Sequence, residues 1–219
     1  MTTSASQTDL LIIGSGGLTR EVLELVGATN KREPRWRVVG ILDDDRAKHG
    51  SVIGGHAVHG PTEMIADFPD ARVVICTGSP RSYTSRANLA TRFDLPIERY
   101  ATLVHPSAVL ATSTRIGAGS IVLAGVVTTA DVRIGVHVVV MPAAVMTHDD
   151  VLGDFATVAA GVRLSGNVEV GAGAYLGAGV LIRENVVIGE RALIGMGSVV
   201  LADVPAGEVW VGSPARRLR

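Results

Sequence analysis

The chain has 219 residues, of which 47% are hydrophobic and only 19% charged, with a formal net charge of −1. That length allows one large domain or two small ones, and the composition excludes a disordered chain. The balanced charge leaves no basic field for unspecific nucleic-acid binding, since the one basic cluster is Arg216, Arg217 and Arg219 at the tail. Aromatic residues make up 4% while glycine reaches 26 residues, so a core must be built from small aliphatic chains around many tight turns or close backbone approaches. A single cysteine, Cys76, excludes a disulfide framework and reads as a small buried hydrophobe. No run approaches roughly 18 apolar residues, so no membrane insertion is expected. Met1 to Asp9 lacks a charged segment followed by an apolar one, so no secretory leader and a cytoplasmic location are expected.

Residues 1–100 alternate strands with helices. Leu10 to Ile13 reads as a buried strand, followed by Gly14-Ser15-Gly16-Gly17 and a helix over Thr19 to Val26 with Leu18, Val22, Leu25 and Val26 on one face. A second strand over Arg37 to Leu42 ends in Asp43-Asp44-Asp45. A third over Arg72 to Thr77 ends at Gly78, and a helix from Ser82 to Phe93 follows. The expectation is a small parallel α/β sheet, with ligands at the carboxyl ends of its strands. The glycine loop, Asp43, Asp44 and Gly78 all fall at such ends. Gly14-Ser15-Gly16-Gly17 lacks the third glycine of the dinucleotide fingerprint, because Thr19 or Arg20 falls there. It reads either as a tight strand-to-helix turn or as backbone amides that hold a diphosphate or sugar.

Near residue 100 the pattern changes. Every sixth residue from Val104 to Val200 is Leu, Ile, Val or Met in sixteen of seventeen cases, Thr128 being the exception. A second series, four residues after each of these, is mostly Ala, Val, Ser or Thr, and glycine often follows the first series directly, as at Gly117, Gly135 and Gly153. A period of six is not helical. It reads as a parallel β-helix of short strands, three faces to a coil, with both series pointing inward and the glycine relieving a turn.

Within this frame His148 falls two residues after the inward Met146, at a corner pointing outward, and is followed by Asp149 and Asp150. Asp150 occupies a position that elsewhere carries a small residue. Polar groups forced into a repeating frame point to a site rather than to packing. His105, before Pro106, reads as a structural marker of the junction. His137 has no second histidine close by, so no metal is expected.

Both halves together resemble the bacterial sugar acyltransferases of the sialic acid O-acetyltransferase type, which include the nucleotide-linked amino-sugar N-acetyltransferases of the bacillosamine type. The markers are Gly14-Ser15-Gly16-Gly17 with Arg20-Glu21-Val22, Leu42-Asp43-Asp44, His105-Pro106-Ser107-Ala108, His148-Asp149 with Leu152-Gly153-Asp154, and the ending Gly212-Ser213-Pro214-Ala215-Arg216. The resemblance implies a Rossmann-like sugar-nucleotide domain over 1–100 and a left-handed parallel β-helix acyltransferase domain over 101–219. It implies acetyl-CoA as donor, a nucleotide-linked sugar as acceptor, acetylation of an amino or hydroxyl group, and a homotrimer. It assigns the general base to His148 and its carboxylate partner to Asp149, although by sequence Asp150 could take that part. Substrate contacts are expected at Gly16, Gly17, Leu18, Asp43, Asp44 and Gly78. Acetyl-CoA contacts are expected at Thr157, Gly166, Asn167, Ala178 and Met196, with Gly166 and Asn167 near the acetyl carbonyl. Two positions depart from the bacillosamine type, which has histidine where this chain has Leu18 and Thr157. A β-helix scaffold that has lost catalysis but keeps its ligand loops is the alternative reading.

Overall fold

The computed structural model describes residues 7–218. Residues 1–6, which hold most of the stretch read for a leader, and Arg219 of the tail cluster lie outside them. The N-terminal unit contains β1 (Thr8–Ile13), α1 (Gly17–Arg32), β2 (Trp36–Leu42), β3 (Val52–Ile53), β4 (His56–Gly60), β5 (Arg72–Ile75) and α2 (Ser85–Phe93). Its sheet has the order β3-β4-β2-β1-β5. All pairs are parallel except the short edge pair β3–β4, a hairpin closed at Gly54-Gly55 that the sequence reading did not contain.

α1 runs six residues beyond the expected end. It stops before Pro34, where Glu33 is extended as a residue preceding proline must be, and the Glu33 N–H donates to Thr29 O. Thr19, Val22, Leu25 and Val26 are buried and Leu18 is half-buried. α2 begins three residues later than expected and ends at Asp94 in the left-handed region, φ 46°.

From Leu103–Val104 onward the chain winds through two-residue strands on three faces. The register is 18 residues per coil: Arg133 pairs with Val151, Val139 with Thr157 and Val145 with Arg163. Both inward series are buried as expected, for example Ile134 with Val138 and Met146 with Ala144. The polar exception Thr128 is satisfied inside, because its hydroxyl accepts from the Ala111 N–H at 3.1 Å and pairs with the Thr114 hydroxyl at 2.7 Å.

Two features of the helix differ from expectation. The glycines that follow the first series do not relieve a turn. The left-handed backbone lies two residues later, at Asp131, His137, Ala143, Asp149, Phe155 and Asn167, with φ of 53–63°. The earlier glycines allow the next coil to come close: a Cβ on Gly153 would lie 2.6 Å from the Ala172 nitrogen. The frame also shortens at the end, where Ile188 bridges Val204, 16 residues on, and Ile194 pairs with Trp210.

α1 lies between its own sheet and the first face of the β-helix. Leu10, Ile12, Val22 and Leu25 share one buried cluster with Leu103, Ile121, Leu123 and Val139. The second clamp between the halves is polar. Arg86 on α2 is 1% exposed. Its Nε donates to His137 O (3.1 Å), Nη1 to Thr77 O (2.9 Å), and Nη2 to Phe155 O (2.8 Å), Ala156 O (3.2 Å) and Thr157 Oγ1 (2.6 Å). Burial lowers its pKa to about 10, which leaves it charged at neutral pH. Beside it, the His137 ring stacks on Phe155 and meets Tyr100 edge-on, and burial holds it neutral with a pKa of about 4. His137 is thus a packed junction residue, and no group of three candidate metal ligands exists among the described residues.

Removing the guanidinium takes the donor from the Thr77, His137 and Phe155 carbonyls and from the Thr157 hydroxyl in a buried junction, while Ala156 O keeps the Val139 N–H. Arg86→Ala is expected to destabilise the protein by at least about 3 kcal/mol and to split denaturant unfolding into two steps, the N-terminal unit melting first. A single transition within about 1 kcal/mol of wild type would show that the apolar cluster alone joins the halves.

Candidate active site

His148 sits at the corner between the face carrying Val145–Met146 and the face carrying Val151–Leu152. Met146 before it and Asp150 after it point inward and are fully buried, which turns His148 and Asp149 outward, with side chains 64% and 59% exposed. Asp149 takes the left-handed corner conformation, φ 63°, which aspartate tolerates better than most residues. This bend brings its Oδ2 to 2.9 Å from His148 Nδ1. Nδ1–H donates to the carboxylate, and Nε2 is left with a free lone pair. Nε2 lies against Gly166, the residue one coil further on: a Cβ there would sit 2.2 Å from Nε2. Glycine at 166 is therefore what lets the imidazole lie flat on the next coil.

Of the two aspartates, Asp149 is the one hydrogen-bonded to His148. Asp150 does not touch His148. Its Oδ2 accepts from the Thr147 N–H at 2.8 Å and its Oδ1 from the Val168 N–H at 2.9 Å. Burial pushes its carboxyl up to about 6, against the lowering effect of those two amides and of His148.

The residues expected to contact acetyl-CoA separate into three places. Gly166 and Asn167 stand directly above His148, with Asn167 N–H donating to His148 O (2.8 Å) and Asn167 Nδ2 to Asn185 Oδ1 (2.9 Å). Ala178 and Met196 are stacked at the preceding corner of the prism, where Gly197 N–H donates to Ala178 O and Met196 is 80% exposed. Thr157 departs from the expectation. It is 7% exposed and its hydroxyl accepts from Arg86, so it belongs to the junction and offers nothing to a CoA arm.

At the carboxyl ends of β1, β2 and β5 the expected loops do converge. Gly14, Gly16, Gly17, Leu18, Asp43 and Gly78 line one crevice of about 300 Å³. Gly14 has φ 97°, and a Cβ there would lie 2.7 Å from Thr77 Cγ2, so this turn needs glycine. α1 begins at Gly17 with no side chain capping its first amides, which leaves donors free for an anionic ligand. Asp43 is already engaged. Its Oδ2 accepts from the Ser15 N–H at 2.7 Å and from the Ser15 hydroxyl, and its Oδ1 from the Asp45 N–H at 2.9 Å. Burial raises its pKa, but these bonds and Lys48 together hold it below the usual carboxylate value. Asp44 lines a smaller neighbouring cavity of about 140 Å³ and is tied to Thr62 and Arg92. A further cavity of about 580 Å³, beside the outer flank of α1 near Trp36 and His56, touches neither cluster.

Arg86, which sequence reasoning missed, is buried against Gly78, one of the residues lining the crevice: a Cβ on Gly78 would meet Arg86 Nη1 at 2.6 Å. Its signal was its place in α2, where Arg86, Leu89, Ala90 and Phe93 fall on one helical face and the last three pack into the core.

A family model described as bacterial transferase hexapeptide (six repeats) matches residues 167–202. Over 121 residues the chain is 32% identical to UDP-N-acetylbacillosamine N-acetyltransferase of Bacillus subtilis, covering 53% of this chain and 51% of that protein, so it spans about half the length of this curated relative. Among solved structures, PerB from Caulobacter crescentus in complex with CoA and GDP-perosamine is 30% identical, with a TM-score of 0.82 over 98% of this chain and 99% of that one. The acetyltransferase domain of PglB from Neisseria gonorrhoeae in complex with acetyl coenzyme A is 29% identical, with a TM-score of 0.83 over 97% of this chain and all of that one. The chain therefore belongs to the hexapeptide-repeat sugar acyltransferases, in which a small α/β sheet precedes a left-handed β-helix.

Proposed function

We propose that this protein transfers the acetyl group of acetyl-CoA to an amino or hydroxyl group of a nucleotide-linked sugar, with His148 as general base. The observation that carries this reading is the exposed His148–Asp149 pair, its Nε2 open and lying on Gly166. Its support is that PglB's domain binds acetyl-CoA and PerB binds CoA with GDP-perosamine at similar full-length coverage.

In this mechanism Nδ1–H stays on the Asp149 carboxylate and Nε2 takes the proton from the attacking nitrogen or oxygen. The acceptor forms its bond to the thioester carbonyl carbon. The tetrahedral intermediate then collapses with loss of the CoA thiolate, which takes up a proton. The Gly166 N–H, not spent on a hydrogen bond within the chain, faces the position of the developing oxyanion. Ala178 and Met196 at the neighbouring corner lie along the path assigned to the pantetheine arm. Residues 1–100 hold the sugar nucleotide, its phosphates on the open amides of α1, and residues 101–219 carry the transfer. No described helix is long and apolar enough to cross a membrane, and a cytoplasmic location goes with the choice of acetyl-CoA as donor.

Assembly follows from the position of the two clusters. The N-terminal unit covers the face carrying Ile121–Val122 and Val139–Val140 and, through Arg86, the corner at His137 and Phe155. His148 stands at the corner opposite that face and does not line the crevice. A neighbouring chain must supply one of the two, and cyclic closure to a trimer gives three equal sites. Light scattering is expected to give three times the chain mass; a monomer at micromolar concentration that turns over substrate would overturn the shared site.

His148→Ala is expected to cut turnover about 10²–10⁴-fold while leaving assembly and acetyl-CoA affinity unchanged, measured as thiol release over UDP-, GDP- and dTDP-amino sugars. Retention of more than about a tenth of wild-type turnover removes His148 from the mechanism. Absence of turnover in wild type, together with no CoA binding by calorimetry, indicates a scaffold.

A side chain at Gly17 points into the crevice and meets nothing within 4 Å. Gly17→Val should therefore keep the fold and raise KM for the sugar nucleotide about tenfold or more, with KM for acetyl-CoA unchanged. Equal increases in both would show that the crevice does not hold the sugar nucleotide.

A further inference from the structure

We infer that Asp150 is a positioning residue for the transfer: its buried carboxylate clamps the backbone on both sides of the His148 corner and so fixes the imidazole against Gly166. The inference rests on the acetyltransferase reading above. Asp150 is 0% exposed and stands where the frame elsewhere carries Ala, Val, Ser or Thr. Its two oxygens have different tasks. Oδ1 accepts from Val168 N–H, one coil on and next to Asn167, while Oδ2 reaches back to Thr147 N–H, next to His148.

Ser120 shows what the frame alone requires at this position. Its hydroxyl accepts from Val138 N–H, also 18 residues on, at 2.9 Å, and donates to Gly135 O. A serine thus joins one coil to the next, and the amide three residues before it, Gly117 N–H, is held instead by Ile134 O of the next coil, whereas Thr147 N–H goes to Asp150. The Thr147 contact is what aspartate adds, and it is added at the corner that carries His148. Thr147 has no other anchor of this kind, since its own hydroxyl is buried without a hydrogen-bond partner. The groups facing the carboxylate are the Thr147 and Val168 amides, His148 and Asp149. With a carboxyl pKa of about 6, Asp150 is largely ionised at neutral pH, so both amides donate to a carboxylate.

Asp150→Ser separates the two tasks, because serine is already accommodated at position 120. The expected result is a trimer with wild-type thermal stability and unchanged KM for acetyl-CoA, but with kcat reduced toward about 10²-fold, the usual effect of a displacement of order 1 Å at a reacting group. Hydrogen exchange should rise at Thr147 and stay slow at Val168. Asp150→Ala should release both amides. Wild-type kcat in Asp150→Ser overturns the inference, as does unchanged exchange at Thr147. Should the wild-type enzyme show no turnover on any sugar nucleotide, the acetyltransferase reading fails separately, while exchange at Thr147 still decides whether the clamp exists.

Discussion

Arg86 is the constraint on which the relation between the two halves depends. A guanidinium without water normally calls for a carboxylate; here it is held by four carbonyls and one hydroxyl, all neutral. Such a charge is tolerable only if every donor is satisfied, because each unmet one would add a desolvation penalty. Its acceptors come from the strand end at Thr77, from the left-handed corners at His137 and Phe155, and from Ala156 and Thr157. The guanidinium can satisfy all of them only in one relative placement of sheet and β-helix. The apolar cluster around α1 supplies area and adhesion, but such contacts are weakly directional. The Arg86 fork supplies direction, and Gly78 is confined to glycine because the fork lies directly against it.

What could be read from the sequence follows from how local each feature is. The six-residue period, the inward pair of series and the α/β alternation repeat every few residues, and the structure places them as read. The outward position of His148 came from the same frame. The features that were misread depend on contacts between coils or between halves. Glycine at the first corner position looked like a turn residue because glycine often is one, yet its reason is the backbone of the coil above. Thr157 was expected at the CoA site through the family resemblance alone; here the Arg86 guanidinium of α2 covers it. Asp43 and Asp44 were correctly placed at strand ends, but which carboxylate oxygen remains for a ligand is decided by Ser15, Asp45, Thr62 and Arg92, on distant segments. The shortened last coil leaves no trace in periodicity, since the spacing resumes at six between Val204 and Trp210.

The geometry of a β-helix turns sequence separation into contact by a fixed rule. Strands in register stack about 4.8 Å apart, so residues 18 apart are neighbours at the same corner. His148 with Gly166, Asn167 with Asn185 and Asp150 with Val168 are all such pairs. A site on this scaffold is a short column, and its composition could be read by writing the sequence in rows of eighteen. The column at this corner runs His148, Gly166, Glu184: a base, a gap beside it, then an acid at the end of the next coil. The gap is the informative member. It is chemically inert, and it makes the base usable.

The same rule shows that the catalytic corner is held differently from other corners, where the equivalent amide donates to the next coil, as Gly135 N–H does to Leu152 O and Ser165 N–H to Ile182 O. At most corners the outward residues have no task, and small shifts of the backbone cost little. At this corner the useful geometry is a contact of one imidazole with a neighbour in its own turn and with the coil above. Asp149 must hold the ring from the side in a left-handed conformation that costs roughly 1–2 kcal/mol for a residue with a Cβ. Gly166 offers no side chain to hold it from above. Neither neighbour fixes the backbone of Thr147, the residue that leads into His148. A carboxylate buried directly behind the corner, with one oxygen on each coil, supplies that restraint from the only side left, the interior of the prism. Burying the carboxylate costs free energy, offset in part by its two charge-assisted bonds to backbone amides, and the position of the imidazole is what that cost secures.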